Sequence, residues 1–405
     1  MNVKKEMYGW ERVGAAVCCV GAVVFAARAE VRVDAQVPAG NIVCERIEGD
    51  RVAVHQELRG SSQWWFYWAF RACGAEGRTL TFDFTDGEPV GTRGPAVSID
   101  RGLSWHWLNK DFTRKSFTYA FAPSESEVWF AFGMVYTQRD WDRFIAHYDG
   151  SPFLEKGQLT VTRKGRAVEK VRIGCLRVEP RFRVLLTARH HCCEMMASYA
   201  LEGLVGGVLA DDETGRWLRA NVEFLVVPFV DKDGVEDGDQ GKYRAPRDHN
   251  RDYDGTSVHV ETAALREQIP AWAHGKLTME LDLHCPWIRG ENNEWVYQVG
   301  NTETNLWAQQ QAFGRLVEKV EPSALAYRQA NDLPHGKAWN TSANYAQGLS
   351  AVRWAATQPG IVFAGSFEIP YATANGTEVN ARSARLFGAN LATAIRQYLA
   401  ARKEP

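Results

Sequence analysis

The sequence predicts two successive folds: an antiparallel β-sandwich over residues 30–180, then an α/β domain over residues 181–405 whose mixed sheet is flanked by helices. Short alternating apolar runs, broken by Gly, Asp and Ser, fill the chain up to about residue 178 and are typical of a sandwich. Beyond Pro180 apolar runs alternate with helical patterns, which is typical of an α/β sheet. A length of 405 residues is also what two domains need.

Residues 1–29 form a separate segment. Lys4 and Lys5 precede an uncharged run over residues 13–27, which is too short to cross a bilayer comfortably. Small residues at Ala27 and Ala29 then occupy the positions that a signal peptidase reads. This pattern predicts a cleaved secretory signal, a mature chain that begins at Glu30, and an exported protein, periplasmic or extracellular.

Composition limits the partners. The formal net charge of −2 argues against nucleic acid or an anionic membrane as the main partner. No apolar run after residue 29 is long enough to span a membrane, so no membrane insertion is expected once the signal is removed. The oligomeric state is not readable from the sequence.

Aromatic residues mark the predicted sandwich strands at 64–70, 80–84 and 127–132. Alternating aromatic side chains on strands favour a packed core, with a ligand surface as the alternative. In the second half, apolar strands are predicted at 182–187, 221–229, 276–283 and 361–369, with helices at 194–209, 305–319, 346–357 and 380–402. Ligands of such sheets bind at the carboxyl ends of the strands.

A metal-ligand pattern lies at the first of these strand ends. His191 and Glu194 are separated by two residues in a strand-to-helix turn, a spacing that lets an imidazole and a carboxylate meet on one small cation. His284, at a later strand end, supplies the third protein ligand of a catalytic zinc ion. A competing register, His190 with Cys193, is also open.

Other groups suited to hydrolysis follow in the chain. Glu368 lies in an apolar strand, where a carboxylate is rarely buried without a role, and it is of the right type for a general base. Arg244 has the charge that a developing oxyanion needs, and Asn250 with Arg251 can clamp a carboxylate.

In this order, the segments resemble the M14 family of zinc metallocarboxypeptidases, and the nearer likeness is to its cytosolic-carboxypeptidase-like branch. Five blocks of the family have counterparts here. Residues 187–194 match its Thr-Ala-Arg-x-His-x-x-Glu block, and residues 231–235 loosely match its Asn-Pro-Asp-Gly block. Residues 247–251 match Gly-x-Asp-x-Asn-Arg, residues 282–284 match Asp-Leu-His, and Glu368 matches the late glutamate. Two cysteines stand where the family usually has Pro-Gly.

The resemblance implies one zinc ion per chain, a peptide or peptide-like substrate, and hydrolysis of the C-terminal peptide bond by a zinc-activated water. It also implies a role for each matched residue. These roles are zinc ligands at His191, Glu194 and His284, general base at Glu368, oxyanion cation at Arg244, substrate-carboxylate clamp at Asn250 and Arg251, substrate cover at Tyr345, and orientation of the first zinc histidine by Asp248.

Several questions stay open at this stage. The alignment that we favour puts Val352 in the pocket for the C-terminal side chain and predicts a preference for apolar residues, whereas another puts Arg353 there and predicts acidic ones. Cys285 is a small core residue or a disulfide partner of Cys192 or Cys193. Two other functions are compatible with the pattern: a zinc amidase or deacylase acting on cell-wall peptides or acyl-amino acids, and a binding protein whose zinc site has decayed.

Overall fold

The computed structural model describes residue 1 and residues 30–61, 65–320 and 325–402. The predicted secretory signal covers residues 1–29, and apart from residue 1 it lies outside the described residues. Within the described ranges, no helix has both the length and the apolar character that a membrane span requires.

Two sheets form in the first third of the described chain. Their strands are β1 (Arg32–Asp34), β2 (Val43–Glu48), β3 (Arg51–His55), β4 (Ala69–Cys73), β5 (Thr79–Phe84), β6 (Ala96–Ser98), β7 (His106–Trp107), β8 (Ser116–Ala120) and β9 (Glu127–Ala131). One sheet has the order β1-β4-β9-β6-β7 and the other β2-β3-β5-β8. The β3–β5 pairing is parallel, and the other pairings among these strands are antiparallel.

Aromatic rings fill the space between these two sheets. Phe70 of β4 and Phe82 of β5 have ring centroids 5.3 Å apart, and Phe117 of β8 lies 5.2 Å from Phe130 of β9. Each contact joins one sheet to the other, so the two sheets pack face to face. The predicted sandwich is therefore confirmed, and these alternating aromatic residues belong to its core.

A mixed sheet dominates the second half. In sequence order its strands are β10 (Leu154–Val161), β11 (Ala167–Gly174), β12 (Phe182–Ala188), β13 (Val222–Val227), β14 (Leu277–His284), β15 (Tyr297–Val299) and β16 (Phe363–Glu368), and a small hairpin follows, β17 (Thr373–Ala374) and β18 (Thr377–Glu378). The spatial order is β10-β11-β13-β12-β14-β16-β15. Strands β13, β12, β14 and β16 run parallel, and every residue in them is buried, as both-sided cover requires.

Helices supply that cover. They are α1 (Gln138–Ala146), α2 (Met195–Leu209), α3 (Glu213–Asn221), α4 (Lys232–Asp237), α5 (Val260–Ala273), α6 (Thr304–Lys319), α7 (Ala351–Ala355) and α8 (Ala381–Ala400). Val184 of β12 shares a core with Leu201 of α2 and Leu391 of α8, whereas its neighbour Leu185 packs with Ile269 of α5. Successive side chains of one strand thus point to helices on opposite faces, and the predicted α/β fold is confirmed.

The strand pairing bears on the predicted domain limits of 30–180 and 181–405. Strands β10 and β11 precede residue 180, yet β11 hydrogen bonds to β13 of the mixed sheet. By sheet membership, the change from sandwich to α/β therefore falls between β9 and β10, because a strand belongs with the sheet that satisfies its backbone groups. The division into two domains itself stays a prediction.

Candidate metal and substrate site

The predicted site residues converge at the carboxyl ends of three parallel strands. His191 and Glu194 lie in the turn after β12, His284 is the last residue of β14, and Glu368 is the last residue of β16. In the β14–β16 ladder, His284 is paired directly with Glu368. The fold therefore brings together groups that are up to 177 positions apart in the sequence.

A buried arginine shapes the turn that carries the first two ligands. Arg189 has a left-handed backbone (φ 62°), which turns the chain sharply as it leaves β12. Its guanidinium donates to the carbonyl oxygen of Cys192 (2.9 Å from Nε) and to the hydroxyl of Ser198 in α2 (2.9 Å). These bonds hold the His-Cys-Cys-Glu turn against the start of α2.

Both cysteines of this turn point away from the candidate metal ligands. The Sγ of Cys192 lies 3.2 Å from the carbonyl oxygen of Asp239, and that of Cys193 lies 3.8 Å from the hydroxyl of Tyr371. Burial raises the pKa of both thiols, that of Cys193 to about 12, so neither is a ready ligand or nucleophile. Cys285 and the five other cysteines in the described ranges are free thiols, so the structure contains no bridge from Cys285 to the turn.

His191, Glu194 and His284 form a compact ligand cluster. The Nδ1 atoms of the two histidines face the two carboxylate oxygens of Glu194, each at 2.8 Å. One ligand atom from each residue lies within 4.8 Å of the other two, and all three residues are buried. Burial opposes the charge of Glu194, but the two histidines and Lys242 outweigh it and hold the pKa of Glu194 below its ordinary value.

A carboxylate lies behind each of these histidines. The Nε2 of His191 is 3.2 Å from Asp248, the residue predicted to orient it, and the Nε2 of His284 is 2.6 Å from Asp282. Hydrogen bonds of this kind fix the histidine tautomer and leave Nδ1 free to bind a metal. Asp282 lay in a matched motif but had no predicted role. Its position two residues before His284 on one strand places both side chains on the same face, which was the signal available.

The competing register, His190 with Cys193, does not form in the part of the chain that the structure describes. His190 is fully buried, with Nδ1 2.9 Å from Asp282 and Nε2 2.6 Å from the hydroxyl of Tyr253. A second possible cluster, His190 with Asp282 and His284, shares His284 with the first. None of the ligand clusters among the described residues includes a cysteine.

Glu368 shares a cavity of about 470 Å³ with His191 and His284. Only 6% of Glu368 is exposed, and one of its carboxylate oxygens has no hydrogen-bond partner among the described residues. Burial raises the pKa of Glu368, and the nearby charge of Glu194 adds to the effect. A carboxylate with a raised pKa and a free oxygen suits a general base.

The predicted substrate-binding residues line the same cavity. Asn250 accepts a hydrogen bond from the backbone of Ala351 (2.9 Å), and its side-chain nitrogen lies 3.2 Å from His284. Arg251 lies over the ring of Tyr345 at 4.7 Å and donates to the carbonyl oxygen of Asn344 (2.8 Å). The arrangement places a guanidinium and an amide where they can meet a carboxylate.

Val352 and Arg353 both line the cavity, so lining alone does not choose between the two predicted pocket residues. The guanidinium of Arg353 lies 3.5 Å from the ring centroid of Tyr345, the same ring that Arg251 contacts. The ring of Tyr345 thus makes cation–π contacts with both arginines.

Arg244, unlike the other predicted catalytic and substrate-binding residues, does not line the cavity. Its guanidinium is paired with Asp239 and with Asp231, whose carboxylate lies 3.2 Å from Nε. Lys242, two residues earlier, lines the cavity instead, and the sequence did not predict it as a site residue. The Nζ of Lys242 lies 3.7 Å from Glu194. Burial lowers the pKa of Lys242, but Glu194, Glu368 and Asp248 outweigh it and raise that pKa.

Known proteins share this arrangement of the chain. The fold superposes on the crystal structure of a metallo-carboxypeptidase from Burkholderia cenocepacia with a TM-score of 0.76 and 21% identity, covering 91% of this chain and 99% of that one. In sequence, the chain is 24% identical over 238 residues to cytosolic carboxypeptidase 3 of Mus musculus, which covers 54% of this chain and 23% of that protein. In sequence the chain is thus similar to cytosolic carboxypeptidases, and its fold is that of the M14 metallocarboxypeptidases.

The sequence similarity to cytosolic carboxypeptidases confirms the resemblance that the motif blocks indicated. A metallo-carboxypeptidase from Pseudomonas aeruginosa, in complex with (2-guanidinoethylmercapto)succinic acid, also has this fold, with a TM-score of 0.71, 18% identity and coverage of 91% of this chain and 99% of that one. The chain spans less than a quarter of the length of the curated relatives it matches. No protein-family model matches the chain.

Proposed function

We propose that this chain is a zinc-dependent metallocarboxypeptidase that hydrolyses the C-terminal peptide bond of a peptide substrate. One observation carries the proposal: His191 and His284 of the ligand cluster, the buried Glu368 and Arg251 all line one cavity of about 470 Å³, and Glu194 lies against both histidines. A ligand cluster, a base and a carboxylate clamp are the parts that such a hydrolase needs.

The donor set fits zinc. Two imidazole nitrogens and one carboxylate form the ligand set of many catalytic zinc sites, and the cluster is buried beside an open cavity. Asp248 and Asp282 orient the two histidines by hydrogen bonds to Nε2, which fits Nδ1 as the ligand atom of each. The chemistry that zinc would supply here is Lewis acidity, which lowers the pKa of water and polarises a carbonyl.

The chain's own residues bind the substrate and move the proton. Arg251 and Asn250 hold the terminal carboxylate, the arginine through two parallel hydrogen bonds. Tyr345 covers the bound residue, because it lines the cavity and its ring contacts both Arg251 and Arg353. Glu368 takes a proton from the attacking water and gives it to the nitrogen of the departing residue. The succinic acid ligand of the Pseudomonas aeruginosa neighbour supports a site that receives carboxylates.

The proposal also includes export through a cleaved signal at residues 1–29. Its support is the pattern of two lysines, an uncharged run and Ala27-Arg28-Ala29. The sequence relatives are named cytosolic, so the compartment is a separate test. Expression of the full chain in a bacterial host, followed by fractionation and N-terminal sequencing, is expected to give a mature chain that begins at Glu30. A full-length chain confined to the cytosol would contradict export without touching the hydrolase.

The enzymatic test uses two libraries of the same peptides. One has free C-terminal carboxylates and the other has C-terminal amides, and release of amino acids is followed by mass spectrometry. Single residues are expected to leave the first library only, since Arg251 and Asn250 need a carboxylate to bind. A chelator should stop the release, and added zinc should restore it. Release from neither library, with zinc bound, would contradict the carboxypeptidase.

A further inference from the structure

A carboxypeptidase reaction places a negative charge on the carbonyl oxygen as water adds. A cation beside that oxygen stabilises the charge and accounts for a large part of the rate enhancement. Arg244 cannot supply it from its position in this structure. Its guanidinium lies between two carboxylates, Asp231 and Asp239, outside the cavity. The loop that holds Arg244 is also bound to the sandwich, because Ala245 donates to the carbonyl oxygen of Gly60 at 2.7 Å.

Lys242 has the position that Arg244 lacks. It lines the cavity with Glu368, and its Nζ lies 3.7 Å from Glu194 of the metal-ligand cluster. Its side chain is 28% exposed, and Lys242 is therefore accessible from the cavity that it lines. The ring of Trp65 lies beside it, 5.9 Å from Nζ, and limits where the side chain can turn.

The backbone around Lys242 is fixed tightly against the metal-binding turn. Gly241 has a left-handed backbone (φ 87°), and a Cβ atom there would lie 2.9 Å from the backbone nitrogen of Cys192. Gln240 is fully buried, and its side chain accepts a hydrogen bond from Tyr67 (2.7 Å) and donates to the carbonyl oxygen of Tyr67 (2.9 Å). A lysine that follows such an anchored pair is held at one place beside the turn.

We propose that Lys242 is the cation that polarises the scissile carbonyl and stabilises its oxyanion in this enzyme. The inference rests on the proposed function. As the water oxygen bonds to the carbonyl carbon, the π electrons move onto the carbonyl oxygen, which accepts hydrogen bonds from the ammonium of Lys242. The proton that the water loses goes to Glu368 and then to the amine nitrogen, as the C–N bond breaks and the C=O bond re-forms.

The test compares Lys242→Met, which keeps the stem without the charge, with Lys242→Arg, which keeps a charge. Lys276→Met is the control, because Lys276 pairs with Glu179 outside the cavity. Lys242→Met is expected to lower kcat by ~10²- to 10³-fold with a small change in KM. Lys242→Arg is expected to recover most of this, and zinc content should stay at one per chain in every variant.

A second readout does not depend on turnover. A phosphinic peptide carries a tetrahedral oxyanion where the substrate has its carbonyl, and its affinity is measured by calorimetry. Lys242→Met should weaken this inhibitor by about the same factor as kcat, while the affinity of the cleaved peptide product stays unchanged. Loss of zinc, or equal weakening of inhibitor and product, would instead give Lys242 a structural role and overturn the proposal.

Two further outcomes separate this inference from the function beneath it. An active wild-type enzyme whose Lys242→Met variant keeps its kcat overturns the role of Lys242 alone. The same holds if Arg244→Lys costs as much kcat as Lys242→Met while zinc is retained. A wild-type protein that neither hydrolyses peptides nor binds the phosphinic inhibitor overturns both proposals together.

Discussion

The Nε2 atom of His284 lies 2.6 Å from a carboxylate oxygen of Asp282, two positions earlier on the same strand. The second carboxylate oxygen of Asp282 accepts from Thr187 at 2.8 Å and faces His190 at 2.9 Å. Asp282 therefore ties the end of β14 to the end of β12, and it sets the ring orientation of one metal ligand. Burial opposes its charge, but His190 and His284 outweigh burial and hold the pKa of Asp282 low.

Replacing Asp282 with Asn is expected to weaken zinc binding by about 10- to 100-fold, because the amide holds His284 less firmly and makes it less basic. Competition with a chromogenic chelator measures this. Asp248→Asn is the matched comparison at His191 and should also lower the affinity for zinc. Unchanged zinc affinity in Asp282→Asn would mean that the hydrogen bond to His284 does not support the metal.

His249 makes stability depend on pH. Burial lowers the pKa of His249 to about 3, from an ordinary value of 6.5. Asp231 opposes that shift, and His259 and Arg244 add to it. Below about pH 6.5, His249 is therefore protonated in the unfolded chain but stays neutral in the folded chain. The free energy of unfolding falls on acidification from that pH down to about 3.

We expect His249→Gln to remove this contribution. Denaturant unfolding between about pH 7 and pH 5 should show the variant losing ~2 kcal/mol less stability than the wild type. The same substitution at His147, which is exposed, is the control and should follow the wild type. Parallel pH profiles for wild type and His249→Gln would show that burial does not keep this imidazole neutral.

Much of the fold was readable because periodicity reports burial directly. The predicted strand at 182–187 is observed as Phe182–Ala188, and the predicted helix at 380–402 as Ala381–Ala400. The helix predicted at 346–357 is short, because Ser350 caps a helix that covers only Ala351–Ala355. Helix α5 was not predicted, since its apolar residues have little helical periodicity.

The site likewise has residues that the sequence could predict and residues that it could not. Motif spacing predicted the residues at strand ends, because β12, β14 and β16 bring their last residues to one edge. It could not predict the loop side chains, since the choice between Arg244 and Lys242 depends on contacts with distant segments. Arg244 turns toward Asp239, while Gly241 brings Lys242 against the turn at Cys192.

That dependence makes Gly241 sensitive to substitution. Gly241→Ala adds a Cβ that would lie 2.9 Å from the backbone nitrogen of Cys192, at a φ of 87°. Gly49 has a φ of 60° with open space around it, so Gly49→Ala is a matched control for backbone strain alone. We expect Gly49→Ala to cost ~1 kcal/mol of stability, and Gly241→Ala ~1–3 kcal/mol more, with a fall in kcat/KM. Equal costs at both positions, with full activity, would contradict the tight contact.

The preference for the C-terminal side chain distinguishes Val352 from Arg353. Both residues line the cavity, so a preference for peptides that end in Glu or Asp would assign the pocket to the charge of Arg353. Arg353→Gln should then lower kcat/KM for a Glu-ending peptide by about tenfold or more and leave a Leu-ending peptide nearly unchanged. A preference for apolar residues that Val352→Ala alters and Arg353→Gln does not would assign the pocket to Val352.

The Glu368→Gln variant separates catalysis from metal binding, because the proposed general base is not among the three clustered ligands. Zinc content by elemental analysis and release of C-terminal residues are measured together on the wild type and on Glu368→Gln. We expect one zinc per chain in both proteins and a loss of release of ~10²-fold or more in the variant alone. Full release by Glu368→Gln, or no zinc in either protein, would contradict this expectation.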